Sequence, residues 1–228
     1  LFEEKNKQAL RYVHKTAYGK KLTNAKWYLI TDLDGTLVDG KDTDGLDELR
    51  NWIMENRGSV VFGVASGRNL EITRNALEHY GIPSPDIVIC SVGSEIYYTS
   101  RLIPDMGWES HIDYQWKREE LQNELTGFPG IRLQEDAAQW RFKLSYYVDE
   151  TFNDDRLADL YKFFDDRKLN VRIAITDNKF LDILPQRAGK GNAVKYLSYK
   201  WKIPLNQIIT AGNGGNDAYW FKVVCNHF

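Results

Sequence analysis

The sequence predicts an α/β fold, a doubly wound sheet core into which a smaller α+β unit is inserted. Four apolar runs each end in a polar or glycine-rich loop and read as buried strands, at 27–31, 60–65, 87–90 and 208–211. Helix-like stretches separate the first three runs, so the sheet is expected to be parallel. From about residue 105 to 185 the pattern changes to alternating, half-exposed strands, which indicates a separate α+β unit.

The predicted elements divide the chain into a lead-in segment, a split core and an insert. The boundaries are 1–25 for the lead-in, 26–104 and 186–228 for the core, and 105–185 for the insert. Ligands of open α/β sheets gather beyond the carboxyl ends of the strands. The carboxylate, hydroxyl and glycine clusters of this chain follow those strand ends, so a site is expected there.

Helices are expected in all three parts of the chain. In the lead-in, a weakly amphipathic helix is predicted over 3–18. In the core, helices are predicted over 44–57 and 69–80, and the second is followed by a glycine and a proline that end it. In the insert, a helix over 156–167 precedes a hairpin of 171–176 and 180–184 around the turn Asp177-Asn178.

Composition limits the classes of function. Thirty basic and thirty-two acidic residues nearly cancel, so no global field favours nucleic acid or an anionic membrane surface. No apolar run approaches the length of a bilayer span, and the charged start lacks the centre of a secretory signal, so a cytoplasmic enzyme is the default expectation. The two cysteines, Cys90 and Cys225, do not imply a disulfide framework.

The first candidate site is a pair of carboxylates. Asp32 and Asp34 lie two residues apart just past a buried strand, so an extended backbone points both side chains to the same side. Such a pair can divide labour, one ionised to attack or hold a metal and the other protonated to donate to a leaving group. The alternative from these residues alone is an aspartate-rich turn closed by Gly35.

The whole run from Asp32 to Val38, Asp-Leu-Asp-Gly-Thr-Leu-Val, resembles the first signature of the haloacid dehalogenase superfamily. The resemblance implies that Asp32 is the nucleophile that becomes phosphorylated. It also implies that Asp34 protonates the leaving oxygen and later activates water.

Three later segments resemble the other signatures of that superfamily, in the right order. Ser66, in Ala-Ser-Gly-Arg, matches the hydroxyl that holds a phosphoryl oxygen, and Lys190, between two glycines, matches the lysine that offsets its charge. The run 212–217, Gly-Asn-Gly-Gly-Asn-Asp, lines up with the fourth signature. The resemblance also implies a set of substrate-binding residues, namely Thr36, Gly67, Arg68 and Asn216.

The resemblance implies Mg²⁺ as cofactor. Asp32, the backbone carbonyl of Asp34, and Asn213 would form its inner shell, with Asp217 as a nearby ligand or anchor. Where the superfamily normally supplies an aspartate, this chain has Asn213, whose amide oxygen can coordinate a hard cation but brings no negative charge. Weaker magnesium binding is expected.

The insert lies between the second and third signatures, which resembles the subgroup with an α/β cap, termed C2. The runs 91–98, 181–185 and 188–191 are similar to sucrose-phosphate phosphatases and to the phosphatase-like domain of some sucrose-phosphate synthases. The implied substrate is a small sugar phosphate, first of all sucrose 6-phosphate, although related disaccharide and glucosylglycerol phosphate phosphatases could share these runs.

The alternative function is a catalytically weakened, sugar-phosphate-binding domain attached to or associated with a glycosyltransferase. The neutral Asn213 favours it, as do the non-methionine start and the short tail after Asp217, which suggest a piece of a longer polypeptide.

Other candidate residues have simpler interpretations. The histidines lack metal-like spacing and read as surface or packing residues: His14, His79, His111 and His227. The glycines of 212–215 lack the dinucleotide-binding fingerprint. Three tryptophans of the insert could stack on a sugar but are more often core: Trp108, Trp116 and Trp140.

Overall fold

A computed structural model describes residues 17–38, 44–98 and 101–213. The helices are α1 (Ala17–Asn24), α2 (Asp44–Glu55), α3 (Leu70–His79), α4 (Met106–Ile112), α5 (Arg118–Glu124), α6 (Asp154–Asp166) and α7 (Lys190–Trp201). The strands are β1 (Trp27–Asp32), β2 (Val60–Ala65), β3 (Ile87–Cys90), β4 (Glu95–Tyr98), β5 (Ile103–Pro104), β6 (Ile131–Leu133), β7 (Leu144–Val148), β8 (Val171–Thr176), β9 (Phe180–Pro185) and β10 (Ile208–Ala211).

The larger sheet has the strand order β10-β1-β2-β3-β4-β5. The first four strands in this order are parallel, and β4 and β5 continue the sheet in antiparallel register. The carboxyl ends of the four parallel strands therefore meet at one edge. This confirms the parallel sheet predicted from the four apolar runs, and it places the loops after Asp32, Ala65 and Ala211 next to each other.

The core sheet is buried on both faces, as its uniformly apolar strands require. On one face, Tyr28 and Val61 pack against Leu197 of α7. On the other face, Phe62 packs with Leu77 of α3 in a second cluster. Because successive strand residues point to opposite faces, one short strand supplies both clusters. Helices on both faces confirm the doubly wound architecture.

The smaller sheet is antiparallel, with the order β6-β7-β9-β8. Its apolar face packs under α5 and α6, where Leu121 and Phe164 are buried with Leu144. The predicted hairpin is present: Thr176 pairs with Phe180, and the turn residues Asp177 and Asn178 both have positive φ.

The segment that follows residue 105 is attached to the core. Trp108 and Ile112 of α4 are fully buried in the same cluster as Tyr28, and so is Phe142, which precedes β7. The domain boundaries at residues 105 and 185 remain a prediction. Helix α4, which follows the first boundary, packs against the core.

Helix ends follow their caps. Asn69 caps α3 by accepting a hydrogen bond from the backbone N–H of Ile72, and Asn153 caps α6, which therefore begins two residues before the predicted start. The part of the lead-in helix before residue 17 lies outside the described residues. In the described ranges, no helix has both the length and the hydropathy to cross a membrane.

Candidate active site

A buried ion pair links the two separate chain segments that form the core. Asp32, the last residue of β1, is 6% exposed, and Lys190, the first residue of α7, is 2% exposed. Lys190 Nζ donates to Asp32 Oδ1 over 2.6 Å although the residues are 158 positions apart. Removing both charges from water is costly unless each compensates the other, so the fold is built to hold this carboxylate beside this ammonium group.

The second carboxylate has a different environment. Asp34 accepts two hydrogen bonds from Arg68, from Nε to Oδ2 at 2.9 Å and from Nη2 to Oδ1 at 2.5 Å. Both side chains are well exposed. The forked geometry fixes the orientation of the Asp34 carboxylate at the mouth of the site. Two carboxylates two residues apart thus differ in burial and in cationic partner, a difference that suits two chemical roles.

The turn after the two aspartates favours glycine at position 35. Gly35 has a φ of +71°, and a Cβ atom there would lie 2.3 Å from Asn213 Nδ2. The turn after β1 therefore packs directly on the residue that follows β10. Asp32, Asp34 and Asn213 line one opening, and carboxylate, carbonyl and amide oxygens are the kinds of donor that suit a hard divalent cation.

Some of the residues that were predicted to bind the phosphoryl group line the opening, and others are buried. Gly67 and Arg68 line the opening, whereas Ser66 is completely buried and its Oγ accepts a hydrogen bond from the Arg68 backbone N–H at 3.1 Å. Thr36 Oγ1 is buried without a hydrogen-bond partner among the described residues. The predicted residues Asn216 and Asp217 lie outside the described ranges. Within those ranges no cluster of three histidine, cysteine or acidic side chains forms a metal site.

A cleft of about 590 Å³ lies between the core and the smaller sheet. Its core side is formed by Asp32, Asp34, Gly35, Gly67, Arg68, Lys190 and Asn213. Its opposite side is formed by Gln134, Lys143, Thr176, Asp177, Phe180 and Asp182. The charged end therefore faces a wall that is mainly polar and can hydrogen-bond several hydroxyl groups.

Sequence reasoning missed the polar wall. Lys143 and Asp182 are buried and paired at 3.7 Å, and the Ser145 hydroxyl donates to Asp182 over 2.6 Å. The available signal was the alternation of 142–148, which places Lys143 and Ser145 on one face of the strand, together with an aspartate inside the apolar run of β9. Alternation predicts a shared face, but it does not show which sheet face meets a ligand.

The other candidates lie elsewhere. Trp108 is buried in the core, half-buried Trp116 donates its Nε1–H to the Arg141 carbonyl, and Trp140 is 46% exposed outside the cleft. His79 and His111 do not line the cleft. Burial raises the pKa of the Cys90 thiol to about 12, which leaves it protonated and inert. The aromatic side chain that does line the cleft, Phe180, was not among the predicted ones.

Comparison with known proteins finds similar sequences among phosphatases of sugar phosphates. Residues 25–226 match the family model described as sucrose-6F-phosphate phosphohydrolase. Sucrose-phosphatase 2 of Nicotiana tabacum is 35% identical over 206 residues, covering 87% of this chain and 48% of that protein. Mannosylfructose-phosphate phosphatase of Agrobacterium fabrum is 27% identical over 199 residues, covering 86% of this chain and 78% of that protein.

A solved structure shares the fold. The X-ray structure of the sucrose-phosphatase from Synechocystis, in complex with sucrose and phosphate, superposes with a TM-score of 0.82 at 30% identity, covering 88% of this chain and 80% of that one. The chain spans about half the length of the plant sucrose-phosphatases it matches.

Proposed function

The chain belongs to the sucrose-6F-phosphate phosphohydrolase family of haloacid dehalogenase-type phosphatases, and we propose that it hydrolyses sucrose 6-phosphate to sucrose and phosphate. The observation that carries the proposal is the buried pair of Asp32 and Lys190, which opens into a cleft with a polar far wall. A phosphoryl group fits the charged end, and a sugar fits the hydrogen-bonding wall.

The first chemical step transfers the phosphoryl group to the protein. A carboxylate oxygen of Asp32 attacks phosphorus as the bond from phosphorus to the sugar oxygen breaks. Asp34, protonated at this stage, gives its proton to the sugar oxygen. Lys190, already beside the nucleophile, balances charge that the phosphoryl oxygens bring into a buried site.

The second step returns the protein to its starting state. Water gives a proton to the Asp34 carboxylate, and the water oxygen bonds to phosphorus while the bond from phosphorus to Asp32 breaks. Phosphate leaves, and the Asp32 carboxylate is restored. Arg68 pairs with Asp34 while Asp34 is ionised, between the two proton transfers, and so keeps it at the cleft mouth near the sugar oxygen and the attacking water.

The oxygen donors of the site fit Mg²⁺. The carboxylate of Asp32, the carbonyl of Asp34 and the amide oxygen of Asn213 would hold it, and Asp217 is proposed as a further anchor. When bound, a divalent cation screens the repulsion between an attacking carboxylate and a phosphate dianion. The neutral Asn213 is expected to make this binding weaker than an aspartate would.

Arg68→Lys tests the clamp on Asp34. Lysine keeps the positive charge but cannot form the forked pair, so Asp34 loses its fixed orientation. We expect kcat to fall by up to about 10²-fold, while the thermal unfolding temperature stays nearly constant because exposed ion pairs add little stability. Steady-state kinetics and thermal unfolding check this. Arg74→Lys, at an exposed position of α3 with a 3.9 Å contact to Glu78, is the control. An equal loss in both variants would contradict the clamp.

Lys143→Gln tests the polar wall. Lysine at this position lines the cleft from the side opposite the phosphoryl end, so its loss should weaken binding of the sugar but not the chemistry. We expect KM for sucrose 6-phosphate to rise about 10-fold or more, with little change for p-nitrophenyl phosphate, which has no sugar. Lys162→Gln, at an exposed position of α6, is the control. A proportional loss with both substrates would show that Lys143 does not contact the sugar.

A phosphate-release screen tests the substrate directly. Sucrose 6-phosphate, trehalose 6-phosphate and glucosylglycerol phosphate would be compared with and without Mg²⁺. The proposal expects magnesium-dependent release with the highest kcat/KM for sucrose 6-phosphate. Release from another sugar phosphate alone would correct the substrate, and release from none would overturn the proposed function.

The binding-module alternative is less well supported. Asn213 favours it, but the intact pair of Asp32 and Lys190 and the clamp on Asp34 supply the groups that hydrolysis needs. A fused or associated glycosyltransferase and a cytoplasmic location remain proposals.

A further inference from the structure

We propose that Glu95 is a positioning residue, which acts through a buried turn to keep the two phosphoryl-binding segments of the site, around Ser66 and Lys190, in register. The turn comprises Ser91, Val92 and Gly93, between β3 and β4. The inference rests on the proposed function insofar as Ser66 and Lys190 are taken to bind phosphoryl oxygens.

The turn has an unfavourable backbone conformation. Ser91, Val92 and Gly93 have φ values of +51°, +58° and +85° in succession. Left-handed conformations suit glycine, but they are costly for serine and more so for a β-branched valine. All three residues are buried, so solvent does not relieve the cost. Such a conformation persists only where surrounding contacts enforce it.

One side of the turn holds the segment after β2. The backbone N–H of Ser91 donates to the Arg68 carbonyl at 2.8 Å, and the N–H of Val92 donates to the Ser66 carbonyl at 3.2 Å. These bonds fix the backbone on both sides of Gly67. The position of the Ser66 hydroxyl and the start of the Arg68 side chain therefore depend on the shape of the turn.

The other side of the turn supports the lysine. The Gly93 carbonyl accepts a hydrogen bond from Gly189 N–H at 3.4 Å. A Cβ atom at Gly93 would lie 2.3 Å from both the Gly189 carbonyl carbon and the Lys190 nitrogen. The start of α7 thus rests directly on the turn. A change in the turn would move Lys190 relative to Ser66.

Glu95 holds the turn from β4. It is 4% exposed and accepts hydrogen bonds from the hydroxyls of Ser91, at 2.6 Å, and Tyr97. Among the described residues, Glu95 has no cationic partner. A buried carboxylate without a cation is expensive, and bonds to hydroxyls offset only part of the cost. The hydrogen bond from Ser91 fixes the side chain of the first left-handed residue. Glu95 therefore stabilises the conformation of the turn.

A second buried carboxylate provides a matched control. Asp105 is 2% exposed and is bonded to the hydroxyls of Tyr98 and Tyr196 and to Lys200 Nζ. Its partner Lys200 lies in the last turn of α7, at the end opposite Lys190. Asp105 therefore stabilises the same core without touching the segments that hold the phosphoryl group.

The experiment compares Ser91→Ala and Ser91→Gly. Alanine removes the hydroxyl and keeps the steric cost of the left-handed conformation, whereas glycine removes both the hydroxyl and that cost. Glu95→Met serves as a second disruption, since it keeps the length of the side chain without an acceptor. Tyr97→Phe, which leaves the bond between Ser91 and Glu95 in place, and Asp105→Asn are the controls.

Two readouts are used. Hydrogen exchange is followed at the amides of Ser91, Val92 and Gly189, and kcat and KM are measured with sucrose 6-phosphate. Ser91→Ala and Glu95→Met should exchange at least about 10-fold faster at these amides and lose about 10-fold or more in kcat with little change in KM. Ser91→Gly should recover most of kcat, and both controls should stay near the parent values.

The proposal is overturned if Ser91→Ala and Glu95→Met exchange at the parent rate at these amides, or if Asp105→Asn reproduces their pattern. It is also overturned if Ser91→Gly is impaired as severely as Ser91→Ala. Should the parent chain release no phosphate from any ester, the proposed function fails, and hydrogen exchange alone then decides the role of Glu95.

Discussion

Asp32→Asn is expected to reduce phosphate release by more than about 10⁴-fold, because the amide cannot attack phosphorus and no neighbouring group replaces it. The other carboxylates of the cleft are engaged elsewhere. Asp34 is hydrogen-bonded to Arg68 at the mouth of the cleft, and Asp182 lies on the opposite wall. Steady-state kinetics with sucrose 6-phosphate measures the loss. Asp159→Asn, which removes an exposed carboxylate from α6, should retain full turnover.

The same substitution should also destabilise the protein. Lys190 is almost completely buried, and Asp32→Asn removes a carboxylate that is bonded to its ammonium group over 2.6 Å. Removing one partner of a buried ion pair costs up to about 3–5 kcal/mol. The double variant Asp32→Asn with Lys190→Met removes both charges and should recover most of the stability without any activity. Denaturant unfolding separates the two effects. Full turnover in a folded Asp32→Asn variant would show that the nucleophile is misassigned.

Asn213→Asp is expected to tighten magnesium binding by about 10-fold or more, since affinity for hard cations rises with the charge of the ligands. Titration calorimetry with Mg²⁺ measures the effect independently of turnover. The added carboxylate would lie against Gly35 and near two existing aspartates, so the variant should be less stable than the parent without Mg²⁺ and should gain more from its addition.

A matched substitution separates ligation from net charge. Asn170→Asp adds the same charge at an exposed position, where the amide is bonded to Gln115, and should leave magnesium affinity unchanged. Equal affinity in the parent and in Asn213→Asp would show that residue 213 is not a ligand. A large gain in kcat at saturating Mg²⁺ would instead favour the weakened-module interpretation of the parent chain.

The core was predictable because its signals are local. Each apolar run predicted its strand, and the polar residue after each run predicted the edge at which the site lies. The pairing of Asp32 with Lys190 was expected only by resemblance, since no periodicity relates residues 158 positions apart. The clamp of Arg68 on Asp34 is likewise a tertiary contact between two loops, and neither loop contains a local sign of the other.

The rest depended on packing between the two sheets. Alternation over residues 143–148 predicts that Lys143 and Ser145 share a face, but the cleft exists only because the smaller sheet lies over the edge of the core sheet. Helix α4 comes after the predicted domain boundary, and yet its Trp108 is buried in the core. A large apolar side chain is stabilised wherever its surface is removed from water, and the composition of the surrounding sequence does not show where that is. The strained turn at 91–93 had no sequence signal beyond one glycine.

The most direct test of the central claim is to trap the phosphorylated protein. The chain is mixed with sucrose 6-phosphate carrying labelled phosphorus, quenched in acid during turnover and digested, and the labelled peptide is identified. A phosphoaspartate mechanism predicts label on the peptide that contains Asp32, lost on treatment with hydroxylamine and absent from Asp32→Asn. Turnover at the normal rate with no labelled peptide, or the same label in Asp32→Asn, would contradict it.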